Sequence, residues 1–193
     1  MAHFQRIGCL IESTNPSFDT FDVPMSNPLP QQKWYPVFKP ELDTAAHDPL
    51  DPDKRYHEGI FIETNPENRK GTLFHVTGDI IAAGGMRYEE KDNYTPGVSA
   101  SLNRSVLIGW VLKADYDSGR ISDILKALPT PPKQQGLNFW AEPGRMTEMI
   151  WTKENGERYG PDEQRPPIFK CNEWTNNHAI PALREAGILR ESV

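Results

Sequence analysis

Cys171, His57 and His75 are the residues of this 193-residue chain whose types and order can do chemistry. A thiol becomes a nucleophile when an imidazole takes its proton and a helix N-terminus stabilises the thiolate. His57 opens the run His57-Glu58-Gly59-Ile60-Phe61-Ile62, and His75 falls near the end of Gly71-Thr72-Leu73-Phe74-His75-Val76. Cys171 follows Pro166-Pro167 and starts a helical pattern in Lys170-Cys171-Asn172-Glu173-Trp174. One imidazole can act as base while the other orients it. The chemistry expected of the set is attack by Cys171 on an amide, ester or thioester carbonyl, through an acyl-cysteine.

The elements that must position these residues follow from periodicity. Strands are expected near 57–63, 71–77, 86–90 and 105–113, where Val, Ile and Phe are enriched between turn-type loops. A hairpin centred near Glu67 sets residue 57 opposite 77 and residue 59 opposite 75. Period 2 then places His57 and His75 on one sheet face as diagonal neighbours, roughly 7–8 Å apart. Ile121, Ile124, Leu125 and Leu128 at i, i+3, i+4, i+7 predict a short helix stopped by Pro129. Residues 147–152 are expected in a hairpin turning at Asn155-Gly156 in a type I′ turn. Asn172 to Ala186 reads as a helix with Trp174, Ala179, Leu183 and Ala186 along one stripe, a Pro181 kink and a Gly187 stop. Ile7 to Ile11 suits one strand.

Two Pro-rich stretches, 13–55 and 129–168, are expected to be irregular segments packed on or around the cleft. Eight prolines lie between Pro16 and Pro52, and Trp34, Tyr35, Val37 and Phe38 are expected to tack that segment to the domain surface. The fold class expected is α+β in a single domain over 1–193: an antiparallel sheet holding the histidines, packed against the C-terminal helix that presents Cys171.

The order His, His, Cys resembles that of circularly permuted papain-like proteins, including lecithin–retinol acyltransferase-like enzymes and PPPDE-type peptidases. His57-Glu58-Gly59-Ile60-Phe61-Ile62 resembles the first histidine strand, Gly71-Thr72-Leu73-Phe74-His75-Val76 the second, and Lys170-Cys171-Asn172-Glu173-Trp174 the nucleophile at a helix start. The resemblance implies a permuted papain-like architecture with Cys171 as nucleophile, His57 as base and His75 as supporting polar residue. It implies a hydrolase or acyltransferase, and a small-molecule tailoring or cyclisation step fits the same chemistry. Two other functions stay open: a binding or scaffold module that keeps the fold without catalysis, and an acid–base enzyme (cyclase or isomerase) using His57 and nearby carboxylates without a covalent step.

Composition narrows the classes. A net charge of −6 without a Lys/Arg run argues against nucleic-acid binding. Two cysteines make no disulfide framework, no stretch approaches a membrane span, and residues 1–10 lack the apolar core of a secretory signal. A cytoplasmic protein acting on a small-molecule or peptide acyl substrate is the expectation, with no cofactor and no metal. The His57/His75/Cys171 set is a weaker candidate for zinc, and neither H-E-x-x-H nor C-x-x-C occurs. Cys9 sits in a strand-like run, His178 lies two helical turns past Cys171, and His3 and His47 fit no pattern.

Overall fold

The computed structural model describes residues 33–44, 47–145 and 147–192. The expected Ile7–Ile11 strand, Cys9 and His3 lie outside the described residues. Residues 32–193 group as one compact unit.

Six antiparallel strands make the main sheet: β1 (Trp34–Asp43), β2 (Tyr56–Glu58), β3 (Ile60–Asn65), β4 (Lys70–Thr77), β5 (Arg87–Tyr94) and β6 (Leu102–Leu112). β1 is central. It pairs with β6 along one edge and with β2 and β3 along the other, and β4 and β5 continue the sheet beyond β3. β7 (Gln135–Leu137) and β8 (Met149–Trp151) form a separate two-stranded sheet. Helices α1 (Lys113–Asp117) and α2 (Arg120–Lys126) follow β6, and a C-terminal helix runs over residues 171–185. The α+β class is therefore observed. No helix among the described residues is long and apolar enough to cross a membrane.

The strand β1 corrects the expectation that all of 13–55 is irregular. Pro36 and Pro40 obscured it, since a proline without an N–H is disfavoured in a central strand. The registers show how both are accommodated. β1 meets β3 at Val37–Ile62 and Phe38–Phe61 and meets β2 from Glu41–Glu58 onward. Continued between them, that register sets Pro40 opposite Gly59, at the break between β2 and β3, and Pro36 just before the paired stretch. Neither interrupts a ladder bond on that side.

Alternation along the strands separates two faces. One carries Val37, Ile60, Ile62, Phe74 and Val76, which pack with Ile121 and Leu125 of α2 and with Trp174, Ala179 and Leu183 of the C-terminal helix. The other carries Phe38, Phe61 and Leu73, with the Phe38 and Phe61 rings 6.4 Å apart.

The C-terminal helix is α-helical over Cys171–Glu173 and Ile180–Glu185 and widens to a π-helix over Trp174–Ala179, where the Ile180 amide bonds Thr175 five residues back. Pro181, at the start of the last piece, has no amide to continue the ladder, so the π segment accompanies the interruption expected there. Gly187 at φ +69° ends the helix in a Schellman motif, with Ile188 N–H bonding Leu183 O and Gly187 N–H bonding Arg184 O.

The expected hairpin around 147–152 needs a correction too. β8 takes β7 as its strand partner, and the Asn155-Gly156 turn is closed by a bridge between Thr152 and Arg158. Only Gly156 of that pair has positive φ, at +86°, and its amide bonds Lys153 O. That is a type I turn with a bulge glycine rather than type I′.

Candidate active site

Register brings the two histidines together. Ile60 pairs with Phe74 and Phe61 with Leu73, so residue 59 stands opposite 75, as the hairpin argument expects. His57 Nε2 and His75 Nδ1 are hydrogen-bonded at 2.8 Å with their rings edge to face. β5 adds a residue that the sequence reading missed. His75 pairs directly with Glu89, and its Nε2 lies 3.1 Å from Glu89 Oε2.

These contacts fix the tautomers. An ionised carboxylate only accepts, so His75 Nε2 carries its proton and donates to Glu89. Neutral His75 Nδ1 is then an acceptor, and His57 Nε2–H donates to it. His57 Nδ1 is left with its lone pair free. Burial foremost, and then His75, pushes the His57 pKa down from its ordinary 6.5 to about 4. Burial also lowers His75, against the raising effect of Glu89 and with Lys91 and Arg87 assisting. Both imidazoles are therefore neutral at pH 7.

Cys171 begins the C-terminal helix and is 8% exposed. Its Sγ lies 3.9 Å from both Tyr56 O and Asn172 Oδ1, against the backbone of β2. Asn172 Nδ2 donates to the same carbonyl at 3.0 Å. Asn176 Nδ2 donates to Glu58 Oε2 and Lys39 pairs with Glu58, so polar contacts clamp this helix to β2. Cys171 and His57 both line one cleft of about 840 Å³, but no hydrogen bond joins thiol to imidazole among the described residues. The helix packs on one sheet face, while Phe61 and Leu73 share the other with His57, His75 and Glu89. Cys171 therefore meets the cleft from the edge of β2.

The thiolate expected at a helix start is not the resting state. Burial pushes the Cys171 thiol above its ordinary value, with Glu58 and Glu173 adding to the rise and the Glu58 and Asn172 amides only partly opposing it. With His57 held low, the pair is neutral rather than an ion pair. Lys170, at the N-cap position, has no acceptor atom, so the cap is one-sided: Lys170 N–H donates to Glu173 Oε2.

The segment just before β2 walls the cleft, through His47, Asp48, Pro49, Asp51 and Pro52. Lys170 Nζ bonds Asp48 at 2.5 Å and lies 3.4 Å from Asp51. Gln135 Nε2 donates to Asp48 from the opposite wall, and Arg55 bridges Asp51 and Glu173. His47, which fits no sequence pattern, is thus a cleft residue. His178 is not: its ring stands 5.0 Å from Phe169 further along the helix. No group of three metal-ligating side chains forms among the described residues. The zinc reading of His57, His75 and Cys171 therefore gains no support from geometry.

No curated protein and no solved structure matches this chain. Residues 46–190, which hold every element from the cleft wall through the C-terminal helix, match a model described as a family of unknown function, DUF6540, and the chain belongs to that family.

Proposed function

We propose that this protein is a cysteine-dependent acyl hydrolase or acyltransferase. The observation that carries the reading is the opening of His57, already hydrogen-bonded to His75, onto the cleft that also receives Cys171 at a helix start. The His, His, Cys order and the resemblance to permuted papain-like enzymes accord with it.

The geometry supports general-base attack rather than a standing ion pair. Cys171 S–H adds to the carbonyl carbon of an amide, ester or thioester, and its proton passes to His57 Nδ1. Catalytic hydrogen bonds that are long in a free enzyme tighten in the substrate complex. The Cys171 amide, in the first helical turn and without an intrahelical acceptor, donates to the developing oxyanion. Collapse expels the leaving group, which takes the proton from His57 Nδ1, and leaves acyl-Cys171. Water or a second nucleophile then attacks, loses its proton to His57 and releases the product, and the proton returns to the thiol. The substrate is a small acyl compound or a peptide that fits the cleft.

The test is a pre-steady-state burst with p-nitrophenyl acetate, together with intact mass. The expected result is an acetyl adduct on Cys171 that is absent from Cys171→Ala and at least about a hundredfold slower in His57→Ala. The buried, neutral thiol favours one competitor, acid–base catalysis by His57 and a carboxylate with no covalent step. That reading requires Cys171→Ser to keep most activity on a genuine substrate while His57→Ala loses it.

A further inference from the structure

We infer that His57, His75 and Glu89 form a proton relay that connects the cleft with bulk solvent on the other side of the active histidine. It deepens the reading of Cys171 as nucleophile and rests on that reading for its proton donor. The three side chains lie in one row across β2, β4 and β5, on the sheet face away from the C-terminal helix. Their exposures are graded for the task. His57 lines the cleft, His75 is 7% exposed and walled off from it, and the Glu89 side chain is 43% exposed and no part of the cleft. Two hydrogen bonds, 2.8 and 3.1 Å, join them without a gap.

The transfer balances. His57 Nδ1 accepts the Cys171 proton while its Nε2–H passes to His75 Nδ1, and the His75 Nε2–H passes to Glu89 Oε2. Both rings end neutral in the opposite tautomer, and Glu89 exchanges its proton with water. Running the chain backwards delivers a proton to the leaving group. No buried imidazolium is required at any step, which matters because His57 resists protonation until about pH 4. The route also stays open when substrate fills the cleft. The charged groups facing His75 are Glu89, Arg87 and Lys91 on β5, with the neutral, titratable His57 on β2; those facing Cys171 are Glu58 and Glu173.

Two readouts test the relay on the full chain. Long-range ¹H–¹⁵N spectra report the tautomers at pH 7. Acylation of Cys171 by p-nitrophenyl acetate against pH reports proton removal. Wild type is expected to show Nε2–H on both rings, and Glu89→Leu is expected to release His75 from that form. Glu89→Gln is the discriminating variant, because its amide oxygen still accepts from Nε2–H but cannot take the proton. It is expected to keep the tautomers and to acylate about tenfold more slowly at pH 7, the effect of one pKa unit. Nε2 bare on wild-type His75, or Glu89→Gln with the wild-type rate and pH profile, overturns the relay. If Cys171 is never acylated, the nucleophile reading fails and the relay, left without its proton donor, is overturned with it; acylation of Cys171 that Glu89→Gln does not slow overturns the relay alone.

Discussion

Gly59 and His75 stand so close across the β3–β4 register that a Cβ at position 59 would come within 2.9 Å of the His75 Cβ. The same atom would meet Phe74 O at 2.9 Å and Leu73 Cδ1 at 3.1 Å, and the carbonyl cannot swing aside as a side chain does. Gly59 is the residue between β2 and β3, so its missing side chain lets His57 approach His75. Gly59→Ala is expected to destabilise the fold by about 1–3 kcal/mol, the usual range for overpacking. It should also lengthen the His57–His75 hydrogen bond. Urea unfolding measures the first effect and the imidazole ¹⁵N shifts the second. An unchanged midpoint with unchanged shifts would show that the strand yields at no cost.

Depressed histidines make stability depend on pH with a definite sign. His57 is held near 4 in the folded chain against 6.5 in an unfolded one. Between those values the unfolded chain binds the additional proton, so stability falls as pH drops from 6.5 towards 4 and is fully present above 6.5. The shift corresponds to as much as about 3 kcal/mol, and His75, also lowered, adds in the same direction. Urea midpoints at pH 7 and pH 4.5 are expected to differ accordingly. His57→Gln should flatten that difference, and an equal slope in the variant would place the pH sensitivity elsewhere.

Legibility in the sequence followed locality. The β3–β4 pairing was readable because one short hairpin, centred near Glu67, fixes the register that a slip of one residue would have broken, putting the two histidines on opposite faces. The helix from Cys171 was readable from its apolar stripe and its Gly187 stop. Glu89 was not, because its partner lies across a longer connection and β5 is polar along its length (Arg87-Tyr88-Glu89-Glu90-Lys91-Asp92). β1 was hidden by Pro36 and Pro40, whose tolerance depends on a gap between two other strands. The cleft wall was hidden for a similar reason. Asp48 and Lys170 are 122 positions apart, and nothing local marks them as partners. The resting charge state of Cys171 depends on how deeply the helix start is packed, which residue order does not convey.

The Lys170–Asp48 pair ties the cleft wall to the residue before Cys171. Burial acts to raise the Asp48 pKa, but hydrogen bonds from Lys170, Gln135 and the Leu50 amide outweigh it and hold the carboxyl below its ordinary value. A depressed carboxylate contributes stability that is present above its unfolded pKa and lost as pH falls through the folded one. Lys170→Met leaves Asp48 with a neutral donor and is expected to cost about 1–2 kcal/mol near neutral pH, between the exposed-pair and buried-pair ranges. The deficit should vanish below the carboxylate range, where Asp48 is protonated in both proteins. Thermal or urea unfolding followed from pH 7 down to about pH 2 checks it, and a deficit unchanged across that range would indicate lost packing rather than lost charge.

Asn172 Nδ2 donates to Tyr56 O at 3.0 Å, the carbonyl against which Cys171 Sγ also rests. Among the described residues β2 takes only β1 as a strand partner, so this amide serves its other edge where β4 does not. Asn172→Ala leaves that carbonyl without its strong donor and removes the contact that sets the helix start against β2. A stability loss of about 1 kcal/mol is expected, the ordinary net value of such a bond. The functional effect should be larger than the energy suggests, because a small displacement of a nucleophile from its base lowers rate steeply. Acylation of Cys171 is therefore expected to fall about tenfold or more, while iodoacetamide, which needs no alignment with a bound carbonyl, labels the loosened thiol faster than in wild type. Both reactions slowing together would mean that the side chain acts on thiol reactivity itself, and neither changing would remove Asn172 from the site.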